Sequence, residues 1–366
     1  MKIALVHDHL AQDGGAEKVL AAFQQIWPEA PTYVVVYNPK QANKIFANKD
    51  IRTSFIQKLP WGVKKYKWYM PFYPAAVEDY DLSDYDVILS SNSAFAKGII
   101  TKPKTLHICY CHTPTRFLWS DTHSYIKELG VSKIVKKILP IFLSNIRQWD
   151  RLAAERVDKY ISNSSLVKKR IEKYYHRDSD IIYPPVEVEK FALNNETGDY
   201  FLAGGRIVPY KRFDIIVDAF NRLGRPLKIF GDGPELNALK ARAKKNIEFL
   251  GRVDDQEKMK LYQNALAYIN PQEEDFGITM LESMASGRPV IAYDAGGAKE
   301  IINTNLTGIL FAEQTWEDLA DAVVKFDSAT YTPSEIRKYA EQFNISHFKQ
   351  SIEQYVEQAY QEFNNK

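Results

Sequence analysis

The chain has 366 residues, 45% of them hydrophobic and 26% charged, with 48 Lys/Arg against 46 Asp/Glu. That length suggests about two domains, the composition excludes wholesale disorder, and a net charge of +2 argues against a nucleic-acid partner. The total hides a split: residues 1–183 carry 27 basic and 18 acidic side chains (+9), and residues 184–366 carry 21 and 28 (−7). Such asymmetry hints at an anionic surface or ligand.

In chain order, Lys2–Val6 reads as a buried strand, Gly14-Gly15 as a turn and Ala16–Trp27 as a helix. Strands are expected at Tyr33–Tyr37, Val87–Ser90, Leu106–Tyr110 and Lys159–Ser162. Pro184-Pro185 and the polar stretch Asn194–Asp199 read as an interdomain linker. A second series follows, with strands at Tyr200–Ala203, Leu227–Phe230, Ile247–Leu250, Ala267–Asn270 and Val290–Tyr293. Between them lie helical patterns at Arg212–Leu223, Pro234–Ala243, Gln256–Asn264 and Ile278–Ser286, with another at Thr315–Phe326 and a long one over Ser346–Phe363. This β-then-α alternation implies two parallel α/β sheets in series, with ligands at strand carboxyl ends and in a cleft between the domains.

The opening MKIALVHDHL has an apolar run broken by His7 and Asp8, too short for a signal peptide. No apolar stretch approaches the roughly 18 residues of a membrane span. Two cysteines, Cys109 and Cys111, cannot build a disulfide framework and point to a reducing compartment. These features predict a cytoplasmic protein.

Arg206 and Lys211 in GGRIVPYKR lie five residues apart between a strand and a helix. Arg offers a planar fork and Lys a point charge, a pair suited to a diphosphate beside a helix N-terminus. On spacing alone they read equally as two solvated cations beside a turn. Glu274 and Glu282 flank a predicted helix start at Phe276, Gly277, Ile278 and Thr279, whose free amides suit phosphate oxygens. Carboxylates there accept hydrogen bonds from sugar hydroxyls, or simply stabilise the helix dipole. His107, Cys109 and Cys111 alternate on a strand and superficially resemble a zinc set, but a buried strand accommodates cysteine as well. Three D-x-D patterns, at Asp79, Asp84 and Asp178, show how cheap that signal is, and no required metal is expected.

Four ordered motifs resemble glycosyltransferase family 4, retaining enzymes of the GT-B fold. They are Gly205-Arg206-x4-Lys211, Ile229–Pro234 (IFGDGP), Phe249–Val253 (FLGRV) and Glu274-x7-Glu282. The resemblance implies two Rossmann-like domains: residues 1–183 binding acceptor, with about 346–366 packing back on them, and residues 184–345 binding donor. It implies that Arg206 and Lys211 neutralise the leaving diphosphate. Glu282 should hold the ribose, and Glu274 the donor-sugar hydroxyls, helped by amides at 276–278. Arg252 and Val253 should border the base, while Gly231 and Gly233 let the chain pass close to the nucleotide. Gly14 and Gly15 resemble the family's phosphate-approaching loop, and His112 in CHTP resembles a histidine beside the transferred sugar; each reads otherwise as a tight turn and a satisfied strand-end histidine. Asp13 and Glu17 are possible acceptor-side groups, or ordinary helix-start acids. VHDHL, GGAEKVL and CHTPTRFLW resemble the mannosyltransferase branch that builds O-antigen and other surface glycans. That implies mannosyl transfer from GDP-mannose to a lipid-linked saccharide with no further cofactor. A UDP-sugar donor, a phosphorylase or epimerase on the same fold, and a non-catalytic interaction protein are the alternatives.

Residues 55–73 contain four lysines, seven aromatics and no acid. Residues 131–151 place Ile134, Ile138, Phe142 (or Ile141), Ile146 and Trp149 on one helical stripe flanked by Lys133, Lys136, Lys137, Arg147 and Arg151, and Pro140 should kink it. Both fit an anionic membrane surface at its cytoplasmic face, or a core stripe with a solvated lysine face.

Overall fold

The computed structural model describes residues 1–128, 131–194 and 196–365. The chain divides into two compact units, Met1–Tyr183 with Phe348–Lys366, and Pro184–His347.

The first unit holds strands β1 (Ile3–His7), β2 (Thr32–Val34), β3 (Ile51–Thr53), β4 (Val87–Asn92), β5 (Leu106–Cys111), β6 (Lys159–Ser162) and β7 (Asp180–Ile181). They form one parallel sheet in the order β3-β2-β1-β4-β5-β6-β7. Every residue of β1, β4 and β5 is buried. Helices cover both faces of such a sheet, so its inner strands read as continuous apolar runs. The second unit holds β8 (Phe201–Gly204), β9 (Leu227–Phe230), β10 (Ile247–Gly251), β11 (Tyr268–Asn270), β12 (Val290–Tyr293) and β13 (Gly308–Phe311). They too pair in parallel, in the order β10-β9-β8-β11-β12-β13. Alternate strand residues serve opposite layers: Leu202, Tyr268 and Ala292 on one face, Phe201, Ile269 and Ile291 on the other. In each sheet the order reverses once, between β1 and β4 and between β8 and β11. Crossovers leave such a switch point on opposite faces and open a crevice at the strand carboxyl ends.

Several expectations need correction. The strand expected at Tyr33–Tyr37 ends at Val34, because Val36 O instead accepts from Leu10 N at 2.9 Å and Asn38 N donates to Leu10 O. The segment Asn194–Asp199 is not a free linker. Arg288 is almost wholly buried, and its guanidinium donates to the carbonyls of Asn194 (2.8 Å), Glu196 (2.6 Å) and Gln263. A buried guanidinium needs acceptors, and this segment supplies two of them. The edge strands β3, β7 and β13 and the helices Ser165–Tyr175 and Pro333–Ala340 went unforeseen.

The stripe expected to meet a membrane surface is split. Helix Lys133–Glu155 continues through Pro140. Ile146 is buried, and Trp149 packs on Phe95 at 5.6 Å and donates from Nε1 to Glu78. These two belong to the core, whereas Ile134 (71% exposed), Ile138, Ile141 and Phe142 face outward. Residues 55–73 divide likewise: Ile56 and Tyr73 are buried, while Trp61, Trp68 and Phe72 are exposed, with Lys65 Nζ 3.7 Å above the Trp68 ring. The inner side chains Tyr66, Tyr69, Met70, Leu139 and Leu143 join one apolar cluster.

The helix Ile345–Asn364 contributes Phe348, stacked on Phe23 at 5.9 Å and edge-on to Tyr110 at 5.8 Å. Tyr355 OH donates to Asp180, and Lys159 pairs with Glu362. Helix Lys133–Glu155 is fastened to the loops after β4 and β5 by Asp150. Its carboxylate accepts from Lys97 Nζ, Thr115 Oγ1 (2.9 Å) and Trp119 Nε1 (2.8 Å), with Lys97 and Asp150 fully buried. Removing one partner strands a buried charge. Asp150→Ala is therefore expected to cost about 3–5 kcal/mol, and Lys97→Met with Asp150→Leu clearly less. Urea transitions followed by tryptophan fluorescence check this; a smaller loss in the single variant than in the double contradicts it.

Candidate functional site

In the second unit, polar side chains gather at the β8–β11 switch point. Gly205 and Arg206 follow β8, and a single 3₁₀ turn at Pro209–Lys211 leads to Arg212 in the left-handed region (φ 52°). Arg212 donates to Asp214 and to Gln314 Oε1 (2.9 Å), and Gln314 Nε2 donates to Pro271 O (2.9 Å). That chain ties the loop after β8 to the loop after β11. The same two loops bring Lys211 Nζ to 2.9 Å from Glu274 Oε1, which also accepts from Gln272 Nε2 at 2.8 Å. Burial pulls the Lys211 ammonium down, but the charge and hydrogen bond of Glu274, together with Tyr268 and Tyr210, outweigh it and hold the lysine above its ordinary range. Arg206 is exposed and reaches Tyr210 OH at 3.3 Å.

Helix Ile278–Ala285 starts from Gly277 (φ +112°), a conformation that suits glycine. Phe276 is buried against Phe343, and Ile278 and Thr279 are half-buried. Tyr268 OH donates to Gly204 O and feels both Glu274 and Glu282. Glu282 is nearly buried; Lys258 Nζ lies 3.2 Å and Tyr262 OH 3.3 Å from its oxygens. Gly231 (φ +115°) passes so close to Gly205 that a Cβ would sit 1.8 Å from Gly205 O, and one on Gly233 would sit 2.0 Å from Ile207 O. The Arg252 side chain is 85% exposed beside Asp232, and Val253 packs partly into the core.

In the first unit, the β1–β4 switch point is built around histidines. His112 follows β5, and its Nε2 lies 2.8 Å from Ser91 Oγ, which lies 3.1 Å from His7 Nδ1. His7 Nε2 is 3.8 Å from Glu17 Oε1. Burial, with the neighbouring His7, pushes His112 down to about 4, so it is a neutral hydrogen-bonding group at neutral pH. Gly14 caps and Gly15 opens the helix Gly15–Ile26, whose first turn carries Glu17, and a Cβ on Gly14 would lie 3.1 Å from Glu17 Oε2. Asp13 accepts from Asn43 at 2.9 Å. His107 bonds Ser90 at 2.8 Å, and burial drives it to about 3, whereas Cys109 and Cys111 pack among Tyr160, Val167 and Tyr175. Among the described residues no group of three or more His, Cys, Asp or Glu is placed to hold a metal.

Within the second unit the fold thus unites Lys211 with Glu274 and Gly205 with Gly231. Glu282 keeps separate partners. Sequence reasoning missed Gln272, Lys258, Tyr262 and Arg212 there, and His7 and Ser91 in the first unit. The one available signal was position at the carboxyl end of a strand, which His7, Ser91 and Gln272 share.

Two doubly wound parallel units in series, each with polar side chains at its switch point, define a GT-B glycosyltransferase architecture. The model described as Glycosyltransferase Family 4 matches residues 13–190, and the one described as Glycosyl transferases group 1 matches residues 185–343. The chain belongs to glycosyltransferase family 4. The D-rhamnosyltransferase WbpZ of Pseudomonas aeruginosa is 30% identical over 190 residues, 49% of each chain. O-antigen chain mannosyltransferase C of Escherichia coli is 26% identical over 254 residues, 63% of this chain and 65% of that one. The chain thus spans about half to two thirds of the length of these relatives. The crystal structure of Anabaena Alr3699/HepE in complex with UDP and glucose superposes with a TM-score of 0.73 at 18% identity, covering 98% of this chain and 99% of that one.

Two outcomes follow from the geometry. Gly231→Ala should destabilise the second unit by well over the roughly 1 kcal/mol that a left-handed alanine costs by itself. Gly224→Ala (φ +68°, with nothing within 4 Å of the added carbon) is the thermal-denaturation control, and equal losses would contradict the close approach. His112 and His107, at about 4 and about 3, stay neutral in the fold, whereas unfolded histidine titrates near 6.5. The unfolded chain therefore binds more protons between those values. Their stabilisation is complete above about pH 6.5 and declines as pH falls towards the folded values. Urea midpoints at about pH 7.5 and about pH 5 should differ less in His107→Gln than in the native protein.

Proposed function

We propose that the protein is a retaining hexosyltransferase, moving a hexose from a nucleoside diphosphate sugar to a hydroxyl of a saccharide acceptor. The carrying observation is the part-buried Lys211–Glu274 pair beside exposed Arg206 at the β8–β11 switch point. Arg206 meets the diphosphate first. Lys211 is already neutralised by Glu274, so the two must exchange partners. Glu274 turns to accept hydrogen bonds from sugar hydroxyls, and Lys211 is released to the leaving phosphate. Amides at Phe276–Ile278 add donors at no cost in charge. Glu282, pre-oriented by Lys258 and Tyr262, accepts from the ribose hydroxyls, Arg252 and Val253 border the base, and Gly231 and Gly233 let the chain pass close to the nucleotide. In the first unit, Gly14 and Gly15 approach the donor phosphates. Neutral His112, held by Ser91, hydrogen-bonds the transferred sugar. The departing phosphate takes the acceptor proton on the face where the new bond forms, which accounts for retention.

We infer mannose from GDP-mannose as the donor, supported by the mannosyltransferase relative. The acceptor is inferred to be lipid-linked. Trp61, Trp68 and Phe72 with Lys64, Lys65 and Lys67, and Ile134, Ile138, Ile141 and Phe142 with Lys133, Lys136 and Lys137, pair exposed apolar groups with cations. That composition suits the headgroup layer of an anionic membrane, at about 1 kcal/mol per basic residue. No helix among the described residues is long and apolar enough to cross a membrane.

A thermal-shift panel of GDP-, UDP- and ADP-sugars tests the donor. GDP-mannose is expected to raise the transition most, and a larger response to a UDP-sugar reassigns the base. Lys211→Ala and Glu282→Ala should each abolish turnover in folded protein; full activity in either would sink the site assignment. Trp68→Ser with Ile138→Ser should lose sedimentation with vesicles of anionic lipid, and unchanged sedimentation would remove the membrane surface.

A further inference from the structure

Four side chains of the first unit stand in one line. Glu17 Oε1 lies 3.8 Å from His7 Nε2, His7 Nδ1 lies 3.1 Å from Ser91 Oγ, and Ser91 Oγ lies 2.8 Å from His112 Nε2. Glu17 and His7 are each 2% exposed, and Ser91 is wholly buried. Separate elements supply the members. β1 ends on His7, β4 sets Ser91 opposite it in register, and the first turn of helix Gly15–Ile26 carries Glu17. His112 follows β5, fixed by its own backbone N–H to Asn92 O at 2.8 Å and by its ring edge-on to Tyr110 at 5.2 Å. Asp8 takes no part, because its oxygens accept from the backbone amides of Ser93, Ala94, Phe95 and Ala96 at 2.6–3.0 Å.

A serine hydroxyl owns one hydrogen, so Ser91 donates to one imidazole and accepts from the other. Two directions are open. In the first, His112 Nε2–H donates to Ser91, Ser91 donates to His7 Nδ1, and His7 turns its Nε2–H towards Glu17. The second reverses every bond. His7 then sets a bare Nε2 lone pair against a carboxylate, or carries a second proton on a buried ring. Burial drives the Glu17 acid upward, but His7 and the backbone more than reverse this, so the carboxylate stays charged. A lone pair facing a buried anion is repelled more strongly than it would be in water. Glu17 therefore selects the first direction. His112 is neutral at neutral pH and has a single ring hydrogen. The chain spends that hydrogen on Ser91, which leaves Nδ1 with its lone pair.

We propose that Glu17 and Ser91 are positioning residues that fix His112 as its Nε2–H tautomer, so that Nδ1 meets the transferred sugar as a hydrogen-bond acceptor. That His112 meets a sugar rests on the transferase reading; the tautomer does not. The test is NMR on the full chain with nitrogen-15 histidine, in which long-range proton–nitrogen correlations type each ring nitrogen as protonated or bare. His112→Asn assigns the ring. Native His112 should show a bare Nδ1 and a protonated Nε2. Ser91→Ala and Glu17→Gln should each draw those two signals together, as mixing of tautomers does, and Ser91→Thr should keep them apart. A role confined to stability would leave the signals of the folded variants in place. Turnover follows the same order: Ser91→Ala should lower kcat/KM about 10-fold, as loss of one neutral hydrogen bond does, and Ser91→Thr should recover it. A protonated Nδ1 on native His112 overturns the proposal, and so do signals unchanged in both Ser91→Ala and Glu17→Gln. Native kcat/KM in Ser91→Ala with mixed signals removes the tautomer from the chemistry. The expected tautomer in a native protein that neither turns over nor responds thermally to GDP- or UDP-sugars overturns the transferase reading and leaves the chain of bonds standing.

Discussion

A parallel strand covered on both faces holds a polar side chain only where a neighbour answers it, as Ser90 answers His107, or at its carboxyl end. Nearly everything chemical in this molecule follows from that restriction. β1, β4 and β5 are buried along their whole length, and so are β8 and β11. Apart from the buried His107–Ser90 pair, their polar groups are gathered at or just beyond their last residues: His7 and Asp8, Ser91 and Asn92, His112, then Arg206, Asn270 and Gln272. The single reversal of strand order in each sheet decides which of these ends become neighbours. It pairs His7 with Ser91 in register, and it brings the loop holding Lys211 against the loop holding Glu274.

The two switch points solve their electrostatics differently. In the second unit a cation and a carboxylate neutralise each other at 2.9 Å, in a half of the sequence that is acidic overall. An anion approaching that half gains nothing from the net field, so any recognition of it there must be local. In the first unit a buried carboxylate, Glu17, leans on an imidazole at 3.8 Å and a serine bridges that imidazole to the next. Asp8 beside it is spent on four backbone amides and fixes the loop after β4. Adjacent acids of similar burial therefore do unlike work: one fixes a loop, the other faces an imidazole.

The basic, aromatic segments show the same economy. Residues 55–73 and the helix Lys133–Glu155 each give one side to a shared core and leave lysines and large apolar groups on the other. The buried Lys97–Asp150 pair anchors that helix, so its outward residues are displayed on a fixed element rather than on a loop.

The amino-acid sequence by itself determined the α/β alternation, the two-unit organisation and the order of the motifs in the second unit. Burial on both faces makes an inner strand a continuous apolar run, and Val290–Tyr293 is legible for that reason. The edge strands β3, β7 and β13 were not, because pairing with a neighbour supplies what their own two to four residues lack. Tertiary structure alone decided that Ile146 and Trp149 turn inward while Ile138 and Phe142 turn out. A helical stripe has one period whether it meets a core or solvent. It also decided that Lys211 answers Glu274, that Glu282 answers Lys258 and Tyr262, and that Ser91 bridges His7 to His112. Hydrogen bonds act over about 3 Å, and residues 20 to 90 apart in the chain come that close only when strand order puts their loops side by side.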